Sequence, residues 1–226
     1  MMQMTSLWIA IDHADTRLFT SVSGVDIRPE VLPLVLDMPQ WGLVVSQERA
    51  NEARVVPTCV GMADVRSTAD LRALPVPSKP TSAIKIGFTH LPMGCAAAAA
   101  VVLAKVHTYG FVFIEPYCRE PQCLAMLSRL TDFTSRDVYL KLAPDQATTD
   151  ALRMSGVPPR RWVARSDGMS WGEFRERLVD AQALGASGVM AGRALWGDTV
   201  GMAQAERKTV LRERMTQIQA AFDSGA

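Results

Sequence analysis

Residues 185–196 have the sequence GASGVMAGRALW, and this stretch determines how we interpret the rest of the chain. Its short apolar run, Gly188–Ala191, is typical of a buried β-strand. Gly192 and Arg193 follow the run directly, and a segment with helical character, Met202–Phe222, comes next. A strand followed by a helix is the repeating unit of an α/β protein with a parallel sheet, so we expect that fold class.

The same order of strand and helix recurs along the whole sequence. The predicted strands are Leu7–Asp12, Leu32–Asp37, Val55–Val60, Ala83–Phe88, Phe111–Glu115, Val138–Leu142, Trp162–Ser166 and Gly188–Ala191. The predicted helices are Leu43–Ala53, Cys95–Tyr109, Pro121–Phe133, Gln146–Ser155, Ser170–Leu184 and Met202–Phe222.

Two closures of this pattern compete, an open doubly wound sheet and a closed, parallel eight-stranded (β/α)8 TIM barrel. The number of strands favours the barrel. A chain of 226 residues is short for that fold, and Met62–Pro80, with three prolines, predicts a poorly helical connection. No linker divides the sequence, so we expect a single barrel domain over residues 1–226.

Composition excludes several classes of function. The chain is 48% apolar and carries 24 Lys and Arg against 23 Asp and Glu, which is not the composition of a disordered protein. A net charge of +1 without a basic run argues against nucleic acid and membrane surfaces as partners, whereas a phosphorylated small molecule needs only a local patch. The longest apolar stretch, Cys95–Ala104, is too short to cross a bilayer. The N-terminus lacks a leader pattern, so we expect a cytoplasmic location.

Cysteine and histidine spacing predicts no metal site. Cys118 and Cys123 are close in sequence, but their spacing matches neither a zinc ribbon nor a redox pair. His13, His90 and His107 are far apart. We therefore expect reduced thiols and no metal or other cofactor.

Charged residues lie at the ends of the predicted strands. Asp12 and Glu115 close the first and fifth strands, Lys85 and Lys141 lie within the fourth and sixth, and Arg193 follows the eighth. In a (β/α)8 barrel the active site is built at the C-terminal ends of the strands. Because an isolated buried charge is costly, two lysines and two carboxylates at one barrel mouth favour a functional site.

These residue types suit Schiff-base chemistry. A lysine among apolar neighbours and near a second cation has a lowered pKa, which frees its amine to attack a carbonyl. Lys141 and Lys85 could be such a pair, in which one lysine is the neighbouring cation that lowers the pKa of the other. A carboxylate beside the imine serves as general acid and base, and a second one orients substrate hydroxyls, tasks that fit Glu115 and Asp12.

The loops after the seventh and eighth strands predict a phosphate site. Ser166, Gly168, Gly192 and Arg193 lie in these two segments. This is the usual place for phosphate in a TIM barrel, where glycines let backbone N–H groups approach the anion and an arginine adds a charged contact. The glycines could also be simple turn residues.

Short motifs in the same order along nearly the whole chain resemble the class I tagatose-1,6-bisphosphate aldolase family, whose relatives include sulfofructose-phosphate aldolases. The eighth-strand segment 185–196 resembles the family's last strand. The other matching segments are Ala10–His13, Leu36–Gly42, Ile84–Lys85, Phe113–Pro116, Asp137–Lys141 and Ser166–Gly168.

The resemblance implies reversible cleavage of a ketose phosphate into dihydroxyacetone phosphate and an aldehyde, without a metal. It implies that Lys141 is the Schiff-base lysine and Glu115 the general acid/base, with Asp12 and Lys85 at the substrate hydroxyls. It also implies that the phosphate is bound by Ser166, Gly168, Gly192 and Arg193.

The sequence departs from the family pattern near these residues. Around Lys141 the spacing differs by one residue on either side, and a slip of one residue reverses the face of a strand. Which face Lys141 occupies therefore stays open. His13 stands where the family usually has an amide, and Asp167 places an acid in the phosphate-binding loop.

Two other functions compete with the class I aldolase. The first is a sugar-phosphate-binding barrel with a sensor or regulatory role and no catalysis. The second is a metal-dependent lyase that uses Asp12, His13 and Asp15, although consecutive strand residues point to opposite faces.

The C-terminal helix could pack on the barrel or on another subunit, so a homo-oligomer is also open.

Overall fold

The computed structural model describes residues 7–13, 15–21, 24–61, 83–88, 111–116, 121–122, 124–125, 137–156 and 161–223. The predicted helix Cys95–Tyr109 and the connection Met62–Pro80 lie outside the described residues, as does most of the predicted helix Pro121–Phe133. Among the helices that are described, none is both long and apolar enough to cross a membrane.

Eight parallel strands form a closed barrel in which each strand pairs with its neighbours in sequence and β8 pairs with β1. This confirms the predicted (β/α)8 TIM barrel. The strands are β1 (Leu7–Ala10), β2 (Trp41–Ser46), β3 (Thr58–Gly61), β4 (Ala83–Phe88), β5 (Phe111–Pro116), β6 (Asp137–Leu142), β7 (Trp162–Arg165) and β8 (Gly188–Ala191).

The second predicted strand is wrong, because Leu32–Asp37 belongs to helix α1 (Arg28–Asp37). The run is apolar throughout, which suits a buried strand as well as a helix. In the fold, Val31, Leu34 and Val35 are buried at helical spacing while Leu36 is exposed. Pro33 lies inside the helix and was a signal against it.

The predicted helix Leu43–Ala53, which follows that segment, is also wrong. Leu43 to Ser46 belong to β2, and only a short 3-10 turn, Gln47–Arg49, follows. Leu43 and Val45 pack outward against the helices while Val44 packs inward. Tertiary contacts on both faces of the sheet therefore outweigh the local pattern.

Three helices agree with the sequence in position: α2 (Gln146–Ser155), α3 (Trp171–Ala183) and α5 (Gln204–Asp223). The short helix α4 (Arg193–Trp196), directly after β8, was not predicted. Asp145 caps α2 by accepting a 2.8 Å hydrogen bond from the Thr148 N–H, and Ser170 caps α3 by accepting from the Glu173 N–H.

Helix α5 packs against α1, α3 and α4, and buried arginines fix it there. The Arg207 guanidinium pairs with both Glu30 oxygens at 2.9 and 3.1 Å. The Arg214 guanidinium pairs with Asp198 and donates to the Leu195 carbonyl at 2.8 Å. Because Leu195 lies in α4, Arg214 holds the short helix that begins directly after β8.

The barrel interior is a separate apolar cluster. Alternation along each strand sends one set of side chains toward the helices and the other set into the barrel. Trp8 and Phe113 meet inside the barrel edge to face, with ring centroids 5.6 Å apart. Gly42 lies opposite Trp8 in the β1–β2 register, and a methyl group there would overlap the Trp8 indole.

Replacing Gly42 with Ala is therefore expected to destabilise the fold by about 1–3 kcal/mol, because the added carbon forces the buried indole to move. Urea unfolding measures this change. Gly172→Ala is the matched control, since a methyl group at position 172 meets open space. Equal stability of the two variants would mean that the interior tolerates the extra volume.

Candidate active site

The charged side chains of the site occupy one level at the mouth of the barrel. Each lies two positions beyond a residue of the interior cluster, so each points inward. Lys85 lies two residues after Ala83, Glu115 two residues after Phe113, and Lys141 two residues after Tyr139. The inward positions nearest the C-terminal ends of the strands include Asp12, Gly61, Lys85, Glu115, Lys141, Arg165 and Gly192.

The open question about Lys141 is settled by this register. In the β5–β6 pairing Ile114 lies opposite Leu140, so Glu115 and Lys141 are neighbours at the next position along the strands. The Lys141 ammonium donates a hydrogen bond to Glu115 Oε2 at 3.2 Å, and its side chain is only 7% exposed. Lys141 therefore faces the barrel interior.

Glu115 is the centre of a buried ion cluster. Its Oε2 lies 3.2 Å from the Nζ atoms of both Lys85 and Lys141, and its Oε1 accepts from Arg165 Nη1 at 2.9 Å. Lys85 Nζ also lies 2.7 Å from Asp12 Oδ2. The four residues Asp12, Lys85, Glu115 and Lys141 that the sequence singled out are thus in one connected network.

The two lysines differ in their surroundings. Burial lowers the pKa of Lys85, but the carboxylates of Asp12 and Glu115 outweigh burial and raise it above its ordinary value. Burial also lowers the pKa of Lys141, and the charge of Lys85 lowers it further, against the weaker opposing effect of Glu115. Lys141 is therefore the lysine that loses its proton more readily.

The carboxylates remain ionised in this environment. Burial alone would raise the pKa of Glu115, but Lys141, Lys85 and Arg165 together hold it well below its usual range. The pKa of Asp12 is lowered in the same way, with Lys85 and Lys141 outweighing burial. At neutral pH the buried carboxylates are stabilised by the cations beside them, and leaving one buried ion unpaired costs several kcal/mol.

Gly61 makes room for the Asp12 carboxylate. A side-chain carbon at position 61 would overlap the carboxylate of Asp12. Because Asp12 lies just past β1 and Gly61 ends β3, the carboxylate reaches across the mouth to Lys85 on β4. Sequence analysis missed Gly61, and only its position at the end of a strand could have indicated it.

The predicted phosphate-binding residues lie together where β7 and β8 end. The Gly192 N–H donates to Ser166 Oγ at 3.2 Å, which leaves the hydroxyl proton of Ser166 able to point at a ligand. Gly168 has a φ of 81°, and a methyl group there would lie 3.6 Å from Arg193 Nη2. Ser166 and Gly192 are buried, whereas Gly168 and Arg193 are exposed.

Among the residues that the structure describes, Arg165 is a second residue of the site, and its only charged one, to which sequence analysis assigned no role. It ends β7, is 6% exposed at its side chain, and pairs with Asp167 at 3.1 Å as well as with Glu115. Asp167 has a φ of 42°, a left-handed conformation that turns its carboxylate toward Arg165. The signal for Arg165 was its place two residues after the inward-facing Val163.

The residues of the metal-dependent alternative do not converge. The Asp12 carboxylate is bound by Lys85, and the Asp15 carboxylate is exposed and bound by Arg17. In the part of the chain that the structure describes, no group of three His, Cys, Asp or Glu side chains is placed to hold a metal ion.

No protein-family model matches the chain, and no curated protein matches its sequence. Solved structures do match it. An archaeal fructose-1,6-bisphosphate aldolase superposes with a TM-score of 0.59 at 15% identity, over 95% of this chain and 94% of that one. A structure of an archaeal aldolase with its catalytic lysine covalently bound to the carbinolamine intermediate gives 0.60 at 16%, over 94% and 93%.

A mandelate oxidase mutant also superposes, with a TM-score of 0.55 at 14% identity over 96% of this chain and 74% of that one. Likeness at these identities establishes a shared barrel fold, and the fold occurs in enzymes of unlike chemistry. The chemistry of this barrel therefore depends on the side chains of its site.

The difference between the two lysines predicts their order of reaction. Reductive methylation by formaldehyde and a hydride donor modifies the neutral amine, so Lys141 should be methylated before Lys85 near pH 8. Exposure alone favours the opposite order, since the Lys85 side chain is 12% exposed and that of Lys141 is 7% exposed. Peptide mass spectrometry over time measures both.

The exposed Lys208 reports the activity of the reagent in the same digest. Methylation of Lys85 ahead of Lys141 would mean that the charges of the cluster do not free the Lys141 amine.

Proposed function

We propose that this protein is a class I, Schiff-base aldolase that reversibly cleaves a phosphorylated ketose into dihydroxyacetone phosphate and an aldehyde. The observation that supports this most strongly is the buried Lys141 amine, which lies beside a second lysine and within hydrogen-bond distance of Glu115. The barrel fold shared with Schiff-base-forming aldolases agrees with it.

In this mechanism the neutral amine of Lys141 attacks the ketone carbon of the substrate and forms a carbinolamine. Loss of water gives an iminium ion, which accepts the electron pair of the carbon–carbon bond as that bond breaks. The proton of the substrate hydroxyl next to the breaking bond leaves at the same time. The resulting enamine is reprotonated and hydrolysed, which releases dihydroxyacetone phosphate and restores the amine.

We propose that Glu115 transfers these protons. Its Oε2 already accepts from Lys141, so the carboxylate lies beside the atom at which water is lost. With three cations around it, Glu115 is a weak base in the resting site. Once Lys141 has lost its proton to react as the neutral amine, and while it is the uncharged carbinolamine, one of those cations is gone and the proton affinity of Glu115 is higher.

We propose that Asp12 and Lys85 bind substrate hydroxyls at the same level of the mouth. Their contact at 2.7 Å keeps Lys85 protonated, so Lys85 acts as a hydrogen-bond donor and as the cation that lowers the pKa of Lys141. We propose that Ser166, Gly168, Gly192 and Arg193 bind the phosphate.

The sequence motifs favour a substrate of the tagatose-bisphosphate or sulfofructose-phosphate type. Both substrates share the phosphorylated half, which becomes dihydroxyacetone phosphate, and differ at the other end. We therefore propose the phosphorylated half of the substrate, which both substrate types have in common. We also propose that residues 1–226 form a single domain around this site.

Borohydride added together with dihydroxyacetone phosphate should leave a covalent adduct on Lys141, because hydride reduces the imine to a stable secondary amine. Intact-mass and peptide mass spectrometry locate the adduct. Lys141→Arg is the matched variant, since it keeps a cation beside Glu115 but cannot form the imine, and it should show no adduct.

An adduct on Lys85 would exchange the roles of the two lysines. If the ligand binds and neither lysine is modified, the class I mechanism is refuted, and the sugar-phosphate-binding barrel without catalysis becomes the better description of the protein.

Arg193→Ala should weaken the binding of dihydroxyacetone phosphate by roughly tenfold, because a charged hydrogen bond contributes about 1.5 kcal/mol. Arg193→Lys should also weaken it, since an ammonium group cannot contact the phosphate with two parallel donors. Titration calorimetry measures both. Arg177→Ala, on the outer surface of α3, is the control. Unchanged affinity in Arg193→Ala would remove Arg193 from the phosphate site.

A further inference from the structure

His13 lies between the ion cluster and the residues proposed to bind phosphate. It follows Asp12 directly, and a methyl group at Gly192 would lie 3.4 Å from His13 Cε1 and 3.7 Å from Ser166 Oγ. The imidazole, the Ser166 hydroxyl and the backbone of Gly192 therefore surround the same small space. Arg193 is the next residue along the chain from Gly192.

Aromatic side chains fix the orientation of the His13 ring. The rings of Phe19 and Trp196 meet it edge on, with centroids 6.0 and 5.8 Å away. Its Nδ1 atom is buried, and within the described residues no hydrogen-bond partner is placed next to it. A buried polar nitrogen without a partner is costly. The other ring nitrogen, Nε2, faces Gly192, since a methyl group there would lie 3.9 Å from it, so Nε2 is the atom that can donate to an anion in this space.

The charges that face His13 come from several strands. Burial lowers the pKa of the imidazole, and although the neighbouring Asp12 raises it, Lys85, Lys141 and Arg193 lower it further. In the absence of a ligand the ring is therefore neutral at pH 7. A dianion bound beside Ser166 and Gly192 would place two negative charges next to this ring, and these charges oppose the effect of the three cations and raise the pKa of the imidazole.

We propose that His13 forms a further wall of the anion site and that the site takes up one proton from solvent when a dianion binds, so that the bound state contains an imidazolium. The inference rests on the proposed phosphate site, and it adds a residue and a proton that the aldolase mechanism does not require. The bound phosphate is then held by two cations, the His13 imidazolium beside Gly192 and the guanidinium of Arg193, the next residue along the chain.

Sulfate is the probe, because it remains a dianion across the pH range of the experiment while phosphate titrates within it. Calorimetric titration with sulfate at pH 7, in two buffers with different protonation enthalpies, gives the number of protons taken up. We expect uptake of up to one proton per sulfate. We also expect tighter binding as the pH falls, by at most about tenfold for each pH unit.

His13→Asn is the matched variant, since its amide can donate a hydrogen bond but does not titrate. It should bind sulfate with no proton uptake and with an affinity that hardly changes with pH. Arg193→Ala should bind sulfate more weakly and still take up a proton. The His13 imidazole resonance, identified by its loss in His13→Asn, should titrate at higher pH when sulfate is present.

The inference is overturned if the wild-type protein binds sulfate without proton uptake, if uptake persists in His13→Asn, or if sulfate does not bind at all. Its outcome is separable from that of the aldolase proposal. Borohydride trapping on Lys141 tests the aldolase mechanism whether or not a proton accompanies the anion. Proton-linked sulfate binding tests His13 even if no imine forms.

Discussion

The Glu115 carboxylate, held by Lys85, Lys141 and Arg165 from three different strands, is the interaction on which the site depends. A single buried carboxylate in an apolar barrel would be protonated or excluded, and three buried cations would repel one another. Each charge is tolerated because the others are present. The same contacts make Lys85 and Lys141 unequal, since Lys85 has two carboxylates and Lys141 shares one.

The barrel provides this arrangement through the alternation of its strands. Below the mouth the inward side chains are apolar, as Trp8 and Phe113 are, and at the mouth the next inward side chains are charged. The apolar layer keeps water away from the lower side of the cluster, so electrostatic interactions there are stronger than at the protein surface. Gly61 adds the space that the Asp12 carboxylate needs to reach Lys85.

Arg165 connects the two halves of the site. It binds Glu115 in the ion cluster and Asp167 in the loop where phosphate is proposed to bind. Asp167, an acid in a loop proposed to bind an anion, is therefore paired with the Arg165 guanidinium. His13 lies against Gly192, in the segment that follows β8. A charge bound beside Asp167 would act on residues of both halves, because Arg165 is buried and contacts both Asp167 and Glu115.

The sequence by itself favoured the closed barrel over an open sheet and predicted that Asp12, Lys85, Glu115 and Lys141 meet at its mouth, because strand–helix order and charges at strand ends are local patterns. The structure brings these four side chains together. Sequence analysis failed at Leu32–Asp37, since a continuous apolar run fits a buried strand and a buried helix equally well. It left the direction of Lys141 open and did not assign Arg165 a role, although both lie two residues after an inward side chain. Only the tertiary structure decided these points, because which face of a strand is the interior depends on how neighbouring strands pair.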